Sequence, residues 1–354
     1  MKKKIIIEDG LNLYNRTGTG RYTVLLFELL AELGYTVELE RKPFLEKIKN
    51  STVKRILYIM WLNIVFPLKM LFKNSEIIFF PNTITPIFKL PNKKYYPVLH
   101  DLWAYKLPKT VTFMQGLYTK VVIFSIKHTY HKIITVSKTV KKEIINFFNC
   151  TEKDVSVINS YFSFGEKPII NFNEQEQIKI LNKYCLQSKE YILSVATLNK
   201  RKNIPMLIDA YNELKNIEIK LALVGGASSQ KFNNTNNSVI FTGYIPDEEL
   251  KVLYKHSLIY VFPSKYEGFG LPIIDAQAFG IPVICSDIPV FREVGGNGVE
   301  YSDITPEAFE KAINKLLLDK QYREKLINLG KLNIKRYYRK KLIEQVKGVL
   351  YNAT

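Results

Sequence analysis

Side chains that could bind an anionic or sugar-like ligand are concentrated in one segment, residues 261–280. Its pattern predicts a strand, then a loop holding Glu267, Gly268 and Gly270, then a helix. Small residues let a ligand approach the backbone closely, and the N–H groups and dipole at a helix start favour a phosphate or an electronegative sugar oxygen. Asp275 lies about one turn inside that helix, so that it and Glu267 can flank the same ligand. The segment predicts an anion- or polyol-binding site, although the glycines alone would favour an ordinary strand-to-helix turn.

The same segment resembles the donor-site signature of the retaining glycosyltransferases of family 4, which have the GT-B fold. The resemblance rests on Glu267 and Asp275 inside the run SerLysTyrGluGlyPheGlyLeuPro and the following helix. Further landmarks of the family are matched in the expected order along most of the chain. They are the segments 18–22, 100–101, 135–137, 194–203, 223–226 and 241–250. Several landmarks in the right order are far more specific than any one of them.

The resemblance implies roles for the residues of a donor site. Arg201 and Lys202 would hold the diphosphate of a nucleotide sugar, and Glu267 would contact the donor sugar. At the position of Asp275 the family usually has Glu. The resemblance implies that Asp275 would bind the ribose hydroxyls, either directly or through a water. The remaining donor-binding positions would hold the sugar hydroxyls through the loop backbone or shape the base pocket. The loop positions are Gly268, Phe269, Gly270 and Leu271, and the base-pocket positions are Tyr244, Ile245 and Leu250.

The N-terminal half contributes two further groups through the resemblance. Gly18, Thr19 and Gly20 would face the phosphates from the opposite domain, although Gly-Thr-Gly alone is a weak signal. His100 ends an apolar strand and would contact the donor sugar, whereas a lone histidine is more often structural. The predicted catalytic set is therefore Glu267, His100, Arg201 and Lys202.

Short apolar runs alternate with amphipathic helical patterns along the whole chain, which predicts an α/β fold with parallel sheets and ligands at the carboxyl ends of strands. The pattern restarts after a polar stretch at 162–178, which predicts a linker. We therefore expect an acceptor-binding domain at 1–168 and a nucleotide-sugar-binding domain at 172–335. The resemblance implies that these are two Rossmann-like doubly wound domains that face each other across a cleft. A long basic helix, Leu332–Tyr351, is predicted at the C-terminus, where 336–354 would pack back on the N-terminal domain.

The net charge of +18 is regional, because residues 51–150 hold 15 basic and 3 acidic side chains. Such a region predicts an anionic partner, which could be nucleic acid, a phosphorylated substrate or an acidic membrane surface. No nucleic-acid-binding motif is present, so we expect no nucleic-acid partner. The three cysteines are far apart and odd in number, which argues against a disulfide framework and favours a reducing compartment.

The most apolar stretch, Ile56–Leu68, is too short to span a bilayer. Its basic flanks and interior aromatic residues suit a segment that lies on an anionic membrane, and a buried helix with solvated lysines at its ends is equally compatible. We expect the region 51–150 to contact an anionic membrane surface and the protein to be cytoplasmic and peripheral on the inner face of the cell membrane.

The sequence as a whole predicts a retaining hexosyltransferase that moves a sugar from a nucleotide-diphosphate sugar, for which the breadth of the family suggests GDP-mannose. The acceptor would be a lipid-linked or growing cell-surface glycan, as in lipopolysaccharide or other polysaccharide synthesis. The chain has no Asp-x-Asp motif, so we expect no metal and no cofactor. Two alternatives remain open on the same architecture: a sugar-nucleotide epimerase and a non-catalytic partner subunit.

Overall fold

The chain divides into two units in the computed structural model, which describes residues 3–10, 18–108, 113–197, 199–214, 218–226 and 237–351. Unit 1 consists of Met1–Tyr161 and Arg339–Thr354, and unit 2 of Phe162–Tyr338. The division lies a few residues before the sequence-based boundary of 168–172. The reason is local, because the amide of Ser163 already donates a hydrogen bond to Asp275 of unit 2.

Unit 1 is built on a parallel six-stranded sheet in the order β2-β1-β3-β4-β5-β6. Its central strands are continuous apolar runs, as expected for parallel strands that are buried on both faces. Because the strand order reverses between β1 and β3, ligands are expected beyond the carboxyl ends of those strands. The strands are β1 Lys4–Glu8, β2 Thr36–Glu40, β3 Ile77–Phe80, β4 Lys94–Leu99, β5 Ile133–Thr135 and β6 Val155–Val157.

The helices of unit 1 include one uninterrupted helical segment from Ser51 to Leu71, in which a π-helical turn at Trp61–Val65 separates two α-helices. Another helix begins after Ser137, whose hydroxyl accepts a hydrogen bond from the amide of Val140 and so caps it, as the sequence predicts. The helices are α1 Gly18–Glu32, α2 Pro43–Glu46, α3 Ser51–Met60, α4 Phe66–Leu71, α5 Trp103–Lys106, α6 Phe113–Thr129, α7 Lys138–Phe148 and, from the end of the chain, α15 Arg339–Tyr351.

Unit 2 is built on a second parallel six-stranded sheet, in the order β12-β11-β10-β7-β8-β9. Its first strand, β7, lies between β8 and β10, which is the doubly wound order of dinucleotide-binding domains, and the switch point lies between β7 and β10. The strands are β7 Tyr191–Val195, β8 Lys220–Val224, β9 Val239–Gly243, β10 Ile259–Phe262, β11 Val283–Ser286 and β12 Val299–Ser302.

The helices of unit 2 follow the strands in alternation. Several begin with acidic or capping residues that complement the helix dipole, such as the acids at the start of the helix that begins at Asp247. The helices are α8 Glu174–Lys183, α9 Ile204–Asn212, α10 Asp247–His256, α11 Leu271–Ala278, α12 Pro289–Gly295, α13 Pro306–Leu318 and α14 Lys320–Asn333. The predicted α/β fold with two doubly wound parallel sheets is confirmed.

Two sequence-based expectations about elements are wrong. The linker 162–178 runs too far, because Asn173 and Glu176 form a capping box that begins α8 at Glu174. The single helix Leu332–Tyr351 is interrupted by a 3₁₀ turn and an extended residue, Tyr338. The buried side chain of Asn333 anchors the chain there by donating to the carbonyl of Val294 at 2.8 Å. The chain passes from unit 2 into unit 1 at this break.

The final helix, α15, packs against α1 within unit 1. Arg339 at its start donates hydrogen bonds to Glu28 at 2.9 Å and to Glu32 at 2.8 Å. Gln345 is held by the backbone and side chain of Asn159. These contacts explain why the last residues of the chain belong to the first unit.

Candidate active site at the sheet switch points

The sheet of unit 2 brings three predicted site residues together at its switch point. Arg201 and Lys202 lie in the loop after β7, and Glu267 lies in the loop after β10, the strand that pairs directly with β7. Glu267 Oε2 lies 3.1 Å from Arg201 Nη1, and its Oε1 lies 2.6 Å from Lys202 Nζ. The three side chains are largely buried, so one carboxylate holds two cations in a fixed geometry at the sheet edge.

The charges of this triad (Glu267, Arg201 and Lys202) determine the ionisation of its carboxylate. Burial raises the pKa of Glu267, but the attraction of Lys202 and Arg201 outweighs burial and holds the pKa below its ordinary value. Glu267 is therefore ionised at neutral pH, and the triad carries one net positive charge. The ammonium of Lys202 also lies 4.8 Å from the ring centre of Phe262, a cation–π contact that further restricts it.

Local backbone interactions explain why the two cations point to the same place. The side chain of Asn199 accepts hydrogen bonds from the amides of Arg201 and Lys202, which caps a short 3₁₀ turn. Asn203 ends that turn in the left-handed conformation, at φ 55°, immediately before α9. The carbonyl of Arg201 accepts from the amide of Lys265 at 2.9 Å, which joins the loop after β7 to the loop after β10.

The glycine loop ends at Gly270, which adopts φ 105° immediately before α11. A side chain there would be strained, and its Cβ would lie 2.9 Å from the ring of Phe291. Pro272 has no N–H, and the amide of Ile273 donates back to the carbonyl of Gly270 at 2.9 Å. The donors that this helix start can offer a ligand are therefore those of the loop, Phe269 to Leu271, as the resemblance implies.

Asp275 lies in α11 and is buried. Its Oδ1 accepts a hydrogen bond from the backbone amide of Ser163 at 2.8 Å. This contact was not predictable from the sequence, because Ser163 lies in the irregular stretch taken as the linker. Asp275 thus has a structural role in holding residues 162–163 on unit 2, besides the ribose contact that the resemblance implies.

The three positions expected to shape a base pocket differ in accessibility. Tyr244 follows the end of β9 and is 64% exposed, so its ring can stack on a planar ligand. Ile245 and Leu250 are buried, so they pack on the core side of the segment that follows β9. At the neighbouring end of β8, Gly225 has φ 145°, and a Cβ there would lie 2.0 Å from the carbonyl oxygen of Ala196. The strand ends pack too closely there for any side chain.

Unit 1 contains a cavity of about 450 Å³ beyond the carboxyl ends of its strands. It lies where the strand order predicts a ligand site and is large enough for a sugar residue or a phosphorylated headgroup. Among the residues that line it are Thr19, Arg55, Tyr58, Thr83, His100 and Trp103.

His100 is the predicted catalytic residue that lies in this cavity. Its Nε2 lies 2.8 Å from the carbonyl of Pro81, so Nε2 carries the hydrogen and donates. The ring packs edge-on against Tyr22 with centroids 5.1 Å apart. Burial lowers the pKa of His100, against opposing contributions from the Pro81 carbonyl and Asp101. The ring is therefore neutral at pH 7 and presents Nδ1 as an acceptor.

Of the glycine-rich stretch at the start of α1, Thr19 lines the cavity and its carbonyl accepts from the Thr23 hydroxyl at 3.0 Å. Gly20 is buried, and a Cβ on Gly18 would meet only open space. Packing therefore does not require glycine at position 18. Its predicted contact with phosphate stays a prediction.

A buried ionic cluster beside the cavity was missed by the sequence analysis. Lys42 lies between Glu8 and Asp9, 2.5 Å from Asp9 Oδ1, and its ammonium is 4.7 Å from the ring centre of Trp61. Tyr58, which lines the cavity, donates to Glu8 at 3.0 Å. Burial raises the pKa of Asp9 to about 6, even though Lys42 lowers it. A Glu-Asp pair at the end of β1 and a lysine after β2 were the available signal, since β1 and β2 pair in parallel.

In the part of the chain that the structure describes, no three His, Cys, Asp or Glu side chains are grouped so that they could hold a metal ion. The acids at 247–249 begin α10, and Glu249 accepts a hydrogen bond from Lys183. The metal-free mechanism stays a prediction.

Comparison with known proteins agrees with this geometry. Residues 175–333, which form most of unit 2 and contain the triad, match the family model described as glycosyl transferases group 1. Unit 2 of this chain resembles that family. The prediction from the donor-site signature is therefore confirmed at the level of the family.

Relatives of this chain include two mannosyltransferases. The chain is 29% identical over 253 residues to the O-antigen chain mannosyltransferase B of Escherichia coli, covering 68% of this chain and 66% of the relative, just under two thirds. It is 29% identical over 305 residues to the O-antigen chain mannosyltransferase RfbU of Salmonella typhimurium, covering 80% of this chain and 77% of the relative.

Among solved structures, Anabaena HepE in complex with UDP and glucose superposes with a TM-score of 0.68 at 14% identity, covering 99% of this chain and 100% of that one. At this identity the likeness concerns the fold alone. It confirms that this chain has two Rossmann-like domains of the GT-B class.

Proposed function

We propose that this chain is a retaining hexosyltransferase that takes its sugar from a nucleotide-diphosphate sugar. The observation that carries the proposal is the triad of Arg201, Glu267 and Lys202 at the switch point between β7 and β10. Dinucleotide-type sheets bind their ligands at this point, and a net positive site there fits a diphosphate.

In this proposal, Arg201 and Lys202 bind the diphosphate and stabilise the charge that develops on it as the glycosidic bond breaks. Preorganised donors at a developing charge are worth more in a water-excluded site than in bulk water, because they need no reorganisation. Glu267 holds both cations in place and keeps its charge, which its low pKa ensures. The N–H groups of Phe269, Gly270 and Leu271 bind the hydroxyls of the transferred sugar, and Asp275 and Tyr244 serve the ribose and base.

Retention follows in this proposal from attack on the same face as the leaving group. The acceptor hydroxyl forms the new bond to the anomeric carbon, the bond to the diphosphate breaks, and a diphosphate oxygen takes the acceptor proton. Arg201 and Lys202 offset the charge in place of a metal ion. No protein carboxylate is needed as a covalent nucleophile.

The identity of the sugar and the acceptor is supported by the relatives. Two of them are named O-antigen mannosyltransferases, which supports mannose as the sugar and a growing surface glycan as the acceptor. HepE is described in complex with UDP, which supports a nucleotide donor for the fold but does not select the base. We propose GDP-mannose as the donor to test first and a lipid-linked glycan bound in the cavity of unit 1 as the acceptor.

The test is transfer of mannose from GDP-mannose to a lipid-linked oligosaccharide. We expect Lys202→Ala and Glu267→Gln to lower the transfer rate by about 10²–10³, the usual effect of removing a transition-state donor or its positioning group. Lys183→Ala and Glu249→Gln, which break an ion pair of 2.8 Å elsewhere in unit 2, should transfer at the normal rate. Folding of each variant is checked by thermal unfolding.

Near-normal transfer by Lys202→Ala would refute the site assignment. Conversion of the donor to an epimeric nucleotide sugar without an acceptor would favour the epimerase alternative. Retention is checked by NMR of the product, in which the anomeric configuration of the donor must persist.

A further inference from the structure

The helical segment Ser51–Leu71 of unit 1 has two apolar faces. One face packs into the core of unit 1 through Tyr58, Leu62 and Phe66. The other face, which we call the apolar stripe, consists of large apolar side chains that are 45–90% exposed. They are Val53, Ile56, Met60, Ile64, Val65, Leu68, Leu71 and Phe72. The sequence analysis left a buried helix and a membrane-docked helix as alternatives, and the structure shows that one face is buried while the other is exposed.

The spacing of the apolar stripe is helical, because its members recur every three or four residues along the segment. Single exposed apolar side chains are ordinary, whereas a contiguous row of this length marks an interaction surface. Asn63 in the π-helical turn extends the surface by holding a neighbouring loop. Its side chain accepts from the amide of Ile87 at 2.7 Å, and the next residue, Phe88, is 79% exposed.

The charges around the apolar stripe are positive at its N-terminal end. The range 51–75 contains no acidic residue. Lys69 and Lys73 are ion-paired with Glu40 and Glu38 of β2, so they contribute little net charge. At the other end, no carboxylate among the described side chains is ion-paired with the basic side chains that flank the start of α3. These are Lys47, Lys49, Lys54 and Arg55.

We propose that the apolar stripe docks unit 1 on the surface of an anionic phospholipid bilayer. A helix with apolar side chains on one side and basic residues beside them lies in the interface plane, with its apolar side chains in the headgroup and acyl boundary and its cations on anionic headgroups. No described helix is both long enough and apolar enough to cross a membrane. In this proposal the segment lies on the bilayer surface.

Charge favours a bilayer over a second copy of the chain as the occupant. In a two-fold symmetric dimer the apolar stripe of one copy would pack against the same stripe of the other copy. The basic side chains beside the two stripes would then come close together and repel each other. Residues 51–150 carry 15 basic and 3 acidic side chains, which increases that repulsion and increases the attraction to anionic lipid.

Docking also places the cavity of unit 1 beside the bilayer, because α3 contributes to both surfaces. Arg55 and Tyr58 line the cavity, and Ile56 and Met60, from the same helix, belong to the apolar stripe. An acceptor whose lipid tail stays in the bilayer would present its phosphorylated headgroup to Arg55. This last step rests on the proposed function, whereas docking itself does not.

The test is sedimentation of the full chain with vesicles of phosphatidylcholine alone or mixed with phosphatidylglycerol. We expect binding to the mixed vesicles that weakens with salt. The triple variant Ile56→Glu, Ile64→Glu, Leu68→Glu should bind at least about tenfold more weakly, equivalent to about 1.4 kcal/mol. The matched control Ile178→Glu, Leu318→Glu, Leu332→Glu replaces apolar residues of unit 2 that are at least as exposed and should bind like the wild type.

Three results would overturn the proposal. The first is equal vesicle binding by the wild type and the stripe variant, and the second is no binding by either. The third is a wild-type dimer in vesicle-free solution that the stripe substitutions dissociate, which would make a second copy the occupant. Cooperative thermal unfolding of both triple variants, followed by circular dichroism, shows that they are folded. If vesicle binding behaves as expected and no variant transfers sugar, the proposed function fails and docking stands.

Discussion

At the scale of single residues, Glu267 is central because one carboxylate neutralises part of the charge of two cations. Its contacts of 3.1 Å to Arg201 and 2.6 Å to Lys202 restrict the conformations of both cationic side chains. Removing one partner of a buried charge cluster leaves the other uncompensated, which is commonly worth about 3–5 kcal/mol. A triad with a net positive charge is therefore stable before a ligand binds and still attracts an anion.

Asp9 gives a second residue-scale expectation, which concerns pH. Its folded pKa of about 6 lies above the ordinary 3.8, so the folded state binds the proton more tightly than the unfolded state. The resulting stabilisation of unit 1 is fully present below about pH 4 and is lost as the pH rises through about 6. The difference between a pKa of 3.8 and one of about 6 corresponds to about 3 kcal/mol of stability. Asp9→Asn should remove this pH dependence.

The measurement is chemical unfolding of wild type and Asp9→Asn between pH 4 and 8. Both tryptophans of the chain, Trp61 and Trp103, lie in unit 1, so their fluorescence reports the unfolding of that unit. Asp303→Asn, at an exposed aspartate of unit 2, is the control. A wild-type minus Asp9→Asn difference that stays constant with pH would contradict the expectation.

At the scale of elements, the strands and helices with strong local signals could be predicted closely. The sequence patterns predict helices over 138–148 and 247–256 and strands over 191–195 and 220–224. The observed α7, α10, β7 and β8 have these bounds, because a cap, an acidic first turn or a continuous apolar run fixes each of them. The π-helical turn at Trp61–Val65 and the break at Tyr338 could not be predicted. They depend on contacts with residues distant in sequence, such as Asn63 with Ile87 and Asn333 with Val294.

The same distinction applies to the candidate site. The resemblance identified Arg201, Lys202 and Glu267, and the pairing of β7 with β10 brings them together. The contacts of Asp275 with Ser163 and of Lys42 with Asp9 could not be predicted, because each joins segments whose proximity only the folded chain defines.

The turn into α11 provides an element-scale expectation. Gly270→Ala would place a side chain at φ 105° and within 2.9 Å of the Phe291 ring. A left-handed non-glycine residue costs about 1–2 kcal/mol, and the contact adds to that. We expect unit 2 to be destabilised by about 1–3 kcal/mol and the affinity for a nucleotide sugar to fall, because the loop donors move.

The matched control is Gly226→Ala, since a Cβ at that glycine of unit 2 meets nothing within 4 Å. Thermal unfolding and nucleotide-sugar titration of both variants separate the two effects. Unchanged stability and affinity in Gly270→Ala would show that the loop adapts and does not depend on glycine there.

At the scale of the whole molecule, the net charge of +18 is distributed over surfaces with different roles. Arg201 and Lys202 account for little of it, and their charge is partly offset by Glu267. Lys69 and Lys73, which are basic residues just after the apolar stretch Ile56–Leu68, are ion-paired with carboxylates of β2. The excess that remains around the start of α3 is the part that fits an anionic lipid surface.

The central claim is that unit 2 binds a nucleotide-diphosphate sugar through Arg201 and Lys202 without a metal ion. The most direct test is the change in thermal unfolding temperature that GDP-mannose and other nucleotide sugars produce in the presence of EDTA, because a ligand that binds only the folded state raises that temperature. We expect at least one nucleotide sugar to raise it for the wild type and for Lys183→Ala, and not for Lys202→Ala. Equal shifts in the wild type and Lys202→Ala, or a shift that requires Mg²⁺, would contradict the claim.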